Sequence, residues 1–108
     1  MLKFIKTSIV NRFLKRETSA NTIQNNLLKW SEYDWSRKGE EWSNDPAWKE
    51  SFIRHVLKRY VPDNLEVLEI GPGAGRWTEY LAPRSRRLVL VDLTPRCIEI
   101  CKKRFGHM

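Results

Sequence analysis

The sequence predicts an α/β fold, the truncated opening βαβα of a doubly wound parallel sheet, preceded by a helical N-terminal extension. Three observations carry this. Two short apolar runs, Leu65 to Ile70 and Leu88 to Val91, each end at a glycine or polar turn; a helical stretch lies between them; a second helix follows with its own proline start. The second run is unbroken, as in a parallel strand covered on both faces. Two such strands joined by a helix make a right-handed crossover.

Composition agrees with a compact fold. The 108 residues fall within one domain's length, and leucine, isoleucine, valine and phenylalanine make up about a quarter of them, above the ~20% of disordered chains. No apolar run approaches the ~18 residues of a spanning helix, and no short repeat is present. The net charge of +7 is uneven: residues 1–16 carry five basic residues and no acid, residues 84–108 seven basic and two acidic, and the middle is slightly acidic. Such a balance favours anionic partners without choosing among them. Cys97 and Cys101 stand alone, four apart on a helical stretch, which fits a reducing cytoplasm and two small buried side chains; no metal is assigned.

In chain order, Leu2 to Arg16 reads as a basic amphipathic helix with Leu2, Ile5, Ile9 and Phe13 on one face. It suits docking onto the protein body or peripheral contact with an anionic membrane surface. Ile23, Leu27 and Trp30 outline a short helix. Between Trp30 and Trp48 lie Tyr33, Trp35 and Trp42, an aromatic density that fits either packing of an irregular segment or a lid over a ligand. Asp45-Pro46 then starts a helix, with Trp48, Phe52, Val56 and Tyr60 as its apolar stripe, closed by Pro62. After the first strand, a helix from Arg76 to Ala82 is expected, closed by Pro83. Thr94-Pro95 repeats the cap-then-proline start, and Cys97, Ile98, Cys101 and Phe105 give the last helix its inward face. The domain reading is an extension over residues 1–46 and a ligand-binding domain beginning at 47.

The strongest local signal is Glu69-Ile70-Gly71-Pro72-Gly73-Ala74-Gly75, where a strand must turn into a helix. Glycines there permit close backbone approach and positive φ. The spacing is G-x-G-x-G: Arg76 occupies the third glycine site of a dinucleotide fingerprint, and no Gly-Lys-Ser/Thr of a phosphate loop follows. Asp92 lies 23 positions after Glu69, at the tip of the second strand. Adjacent parallel strands bring both carboxylates to one crevice, where Asp92 can accept from ribose hydroxyls. Thr94 is expected to cap the next helix, leaving Asp92 for a ligand; the alternatives are a cap role for Asp92 and a strand-end ion pair for Glu69.

The runs VLEIGPGAGRWTEYL and LVLVDLTPRCIEICKKRF resemble motifs I and II of class I S-adenosylmethionine-dependent methyltransferases, and YDWSRKGEEWS resembles the extension of bacterial members. The resemblance spans roughly residues 65–105 and implies a Rossmann-like fold with S-adenosyl-L-methionine as cofactor. It places Gly71, Pro72, Gly73 and Gly75 beneath the cofactor's methionine portion, Glu69 toward its ammonium, Asp92 on the ribose and Leu93 against adenine. Because the family continues through further strands, the resemblance also implies that this chain is the N-terminal part of a longer enzyme, inactive alone. The methyl acceptor, the catalytic base and the oligomeric state stay open, and neither His55 nor His107 is placed at the crevice mouth. The other readings are a dinucleotide-dependent oxidoreductase and a basic module for anionic lipid or RNA. Nucleic acid is disfavoured, since the basic clusters are not interleaved with surface aromatics. A cytoplasmic, membrane-associated location is the expectation.

Overall fold

The computed structural model describes residues 21–108. The basic helix expected over residues 2–16 lies outside the described residues. Two compact units divide the chain, Met1–Glu32 and Tyr33–Met108; Tyr33, Trp35 and Trp42 belong to the same unit as the glycine loop.

In the first unit, helix α1 spans Ile23–Glu32. Thr22 caps it, its hydroxyl accepting the amide of Asn25 at 3.1 Å. Lys29 lies over the Trp30 ring, 5.1 Å from its centroid.

The second unit begins with an irregular segment that turns through Lys38 and Gly39, at φ 60 and 82, into a 3₁₀ turn over Glu40–Ser43. Helix α2, Pro46–Phe52, starts as expected: Asp45 accepts the amide of Ala47 at 2.9 Å, and Pro46 fills the first turn. The stripe that follows departs from the expectation. A π turn over Ile53–Leu57 interrupts the helix before α3, Lys58–Tyr60. Its extra residue rotates the face, so Phe52, Ile53, Leu57 and Val61 are half-buried while Val56 and Tyr60 are exposed; Trp48, ahead of the π turn, is exposed as well.

Strands β1, Glu66–Ile70, and β2, Arg87–Val91, pair in parallel with Glu69 opposite Leu90 and Ile70 opposite Val91. The predicted pair of parallel strands is therefore present, with β1 starting one residue later and β2 one residue earlier than expected and both ending at the expected residues. Coverage on both faces is not: Val67, Glu69, Leu88 and Leu90 are half-buried, but Leu68, Ile70, Val89 and Val91 are exposed. Strand side chains alternate between faces, and among the described residues only one face meets packed elements.

Helix α4 covers Thr78–Leu81, shorter than the Arg76 to Ala82 expected, because a tight turn occupies residues 73–77. Helix α5, Pro95–Phe105, turns Cys97 and Cys101 inward with Ile98 and Phe105 half-buried beside them, as the periodicity required. The small core comprises Ala74, Leu81, Cys97 and Cys101, with Thr78 and Thr94 buried beside them. Half of those residues belong to the glycine loop or α4, so the core lies directly beneath the turn leaving β1.

Candidate functional site

Gly71, Gly73 and Gly75 all take left-handed backbone, at φ 72, 57 and 91. This is why residues with a Cβ do not substitute freely along the turn. The three amides are engaged within the protein. Gly71 N–H donates to the carbonyl of Val91 at 2.7 Å, Gly75 N–H to that of Pro72 at 2.9 Å, and Gly73 N–H to Asp92 Oδ2 at 3.0 Å. A loop holding its own glycine amides in this way is not presenting them to a pyrophosphate, unlike the phosphate-binding turns at helix starts. Pro72 is buried, and Gly71 is open: a Cβ built there would meet nothing within 4 Å. Gly73 is the reverse, with a built Cβ 2.9 Å from the Trp35 ring.

Asp92 follows β2 directly, and its carboxylate is in use. Oδ1 accepts both the amide and the hydroxyl of Thr94 at 2.9 Å each, while Oδ2 takes Gly73 N–H. Thr94 occupies the N-cap position of α5 but makes no side-chain cap bond. Thr94 therefore does not supply the expected side-chain cap, because its hydroxyl donates to the Asp92 carboxylate two residues upstream instead of accepting a helix amide. A carboxylate has about four lone-pair sites, so one remains, on Oδ2. Leu93, beside it, is 47% exposed.

Glu69 sits on the half-buried face of β1. Its Oε2 accepts the hydroxyl of Thr78 at 2.7 Å. Burial pushes its carboxyl above the usual range, and the Thr78 hydroxyl opposes that shift. The two site acids are underlain by the two thiols of α5. Burial raises Cys97, with a contribution from the charge of Asp92; burial raises Cys101 to about 11, with a contribution from Glu69. The Cys101 thiol donates to the Gly73 carbonyl at 3.4 Å, and the Arg104 guanidinium donates to that of Ala74, so α5 holds the loop from below.

The aromatic segment packs on this loop. Trp35 rests against Gly73, and Tyr33 meets Trp35 edge-on at 4.7 Å between centroids and Trp42 at 6.1 Å. Tyr33 O–H donates to Glu41 Oε1 at 2.6 Å, which raises the phenol and lowers the carboxyl. Arg96 donates to the carbonyl of Tyr33 at 3.3 Å, tying the segment to α5. Trp42 is 56% exposed. Trp48 stacks on Phe52, and both lie near Trp77. His55, in the π turn, and His107 are exposed.

Sequence reasoning missed Thr78, the residue that engages Glu69. Its signal was a polar β-branched residue opening the helix just after the glycines, three residues before Leu81 on the inward face.

The family model for nodulation protein S (NodS) matches residues 47–108. The chain is 43% identical over 58 residues to ribosomal RNA small subunit methyltransferase A of Geobacter metallireducens, covering 48% of this chain and 21% of that protein. It is 35% identical over 66 residues to ribosomal RNA large subunit methyltransferase E of Thermoplasma acidophilum, covering 59% and 31%. With nodulation protein S of Bradyrhizobium diazoefficiens it shares 42% over 50 residues, covering 46% and 24%. The chain therefore spans about a fifth to a third of the length of these relatives. No solved structure matches.

Proposed function

The chain belongs to the nodulation protein S family, and from that premise we propose that it is the cofactor-binding N-terminal part of an S-adenosylmethionine-dependent methyltransferase. One observation carries the reading: a left-handed glycine turn whose amides are internally engaged, tied through Gly73 to the acid that ends the neighbouring parallel strand. The same observation counts against the dinucleotide alternative, which needs free loop amides for its phosphates.

The residues present fit such a cofactor. Gly71 leaves open space at the loop crown, where a ligand's methionine portion can lie against backbone. Pro72, Gly73 and Gly75 hold the turn in shape. Glu69 offers Oε1 to the ammonium, Asp92 offers its remaining Oδ2 site to the ribose, and exposed Leu93 offers an apolar edge to adenine. Trp35 closes the loop side against water, and its ring can meet a sulfonium through cation–π attraction of about 0.5 to 2 kcal/mol. The bound cofactor would supply a methyl group activated by the sulfonium, and the protein's task is then alignment of the acceptor. No side chain here is assigned as the base.

The acceptor belongs to the complete gene product. Relatives named for ribosomal RNA return a nucleic acid to the candidates, against the reading from charge and aromatic placement. The domain reading keeps residues 47–108 as the start of the cofactor domain, with the aromatic segment as its cover and residues 1–16 as a segment for docking onto the protein body or for peripheral contact with an anionic membrane surface. Calorimetry on the complete gene product with S-adenosylhomocysteine tests the central claim. Binding that excess NAD does not displace is expected; displacement by NAD, or no binding, overturns it.

A further inference from the structure

Thr78 is fully buried, at 0% exposure. A buried hydroxyl needs a partner, and Thr78 at the start of α4 finds it in Glu69 Oε2 at 2.7 Å rather than in the backbone of its own helix. Among the described residues this is the one hydrogen bond that the Glu69 carboxylate receives, and it engages one oxygen. We propose that Thr78 is the positioning residue of the site: its hydroxyl holds the Glu69 carboxylate in one orientation beneath the glycine loop, with Oε1 kept for a cationic ligand group.

The surroundings make that role necessary. From α5, the neutral thiol of Cys101 faces Glu69 and donates to the Gly73 carbonyl; Arg104 of the same helix is turned to the Ala74 carbonyl and to Glu79. From β2, Leu90 lies opposite Glu69 in register. No cation among these neighbours neutralises the carboxylate, and burial favours its protonated form. The Thr78 hydroxyl is the opposing influence. Threonine serves better than serine because its branched Cβ restricts χ1, so the hydroxyl stays aimed once the methyl is packed.

The proposal rests on the cofactor reading above, and the test separates the two. The Glu69 carboxyl carbon is followed by ¹³C NMR across pH in the complete gene product, and S-adenosylhomocysteine affinity is measured by calorimetry over the same range. In Thr78→Val the Glu69 midpoint should move to higher pH, affinity at neutral pH should fall about tenfold, as for loss of a hydrogen bond to a charged group, and the acid limb of binding should follow the new midpoint. Thr78→Ser should restore the midpoint. In a Glu69→Gln background, Thr78→Val should change affinity less than about twofold, because the pair is coupled. Thr78→Ala replaces Thr78→Val should the latter not fold. An unmoved Glu69 midpoint, or an equal affinity loss in the Glu69→Gln background, overturns the positioning role. A moved midpoint in a protein that binds no S-adenosylhomocysteine upholds the Thr78–Glu69 linkage and overturns the cofactor reading instead.

Discussion

The amide of Gly73 donates to Asp92 Oδ2 at 3.0 Å, joining residues nineteen positions apart. The glycine turn that leaves β1 is thereby fastened to the tip of β2, and any ligand lying across the two strand ends meets a geometry already fixed. Because Asp92 also takes both donors of Thr94, one carboxylate sets the loop and the start of α5 together.

Asp92→Ala should therefore act twice. Loss of hydrogen bonds to a charged acceptor should cost roughly 1.5 to 3 kcal/mol of folding stability without ligand, and a similar amount of cofactor affinity. Urea unfolding and calorimetry on the complete gene product measure the two separately. Loss of stability with unchanged affinity would leave Asp92 as a purely structural tie.

Gly73→Ala should destabilise by about 1 to 3 kcal/mol, since it combines left-handed backbone with a Cβ pressed on the Trp35 ring. Trp35→Ala in the same chain should relieve the steric part and leave the backbone part, about 1 kcal/mol. A double-mutant cycle by thermal unfolding checks this. Strict additivity would mean that Trp35 does not rest on the loop in solution.

Fluorescence distinguishes the tryptophans. With Trp77 replaced, S-adenosylhomocysteine should quench emission through Trp35, which touches Gly73, and hardly through Trp42, whose ring is more than half exposed. Trp35→Phe should abolish the quench and Trp42→Phe should keep most of it. A complete quench in Trp35→Phe would remove the lid role.

The thiols of α5 should be inert in the folded protein. Cys97 and Cys101 are each 1% exposed, and burial raises Cys101 to about 11, so at pH 8 only about one part in a thousand of it is thiolate. Iodoacetamide should label neither cysteine at pH 8 until urea unfolds the chain. The folded state favours the neutral thiol; its contribution to stability is complete below the unfolded value near 9 and is lost as pH rises toward 11. Rapid native labelling, or stability that is flat between pH 9 and 11, would contradict the buried placement.

Much of this was legible in the residues. The apolar runs predicted two parallel strands and the helix between them, the Asp45-Pro46 start was correct to its hydrogen bond, and the four-residue spacing of Cys97, Cys101 and Phe105 gave the inward face of α5. Local signals are readable because a cap, a proline and a helical period act within a few neighbours. Of the Trp48 to Tyr60 stripe only Phe52 is half-buried; at Val56 and Tyr60 the reason is a π turn, which is a concession to packing and leaves no mark in the period itself.

The site divides along the same line. That Glu69, the three glycines and Asp92 would gather at one end of two parallel strands was determined by the sequence alone, since strand direction and crossover handedness follow from pattern and backbone chirality. Which atoms they would touch was decided by tertiary structure. Thr78 reaching Glu69, Asp92 taking Thr94 and Gly73 at once, and Trp35 seated on Gly73 join residues separated by up to 38 positions. Competition among donors for a partly buried carboxylate is settled by distance and desolvation, quantities that exist only once the chain has closed on itself.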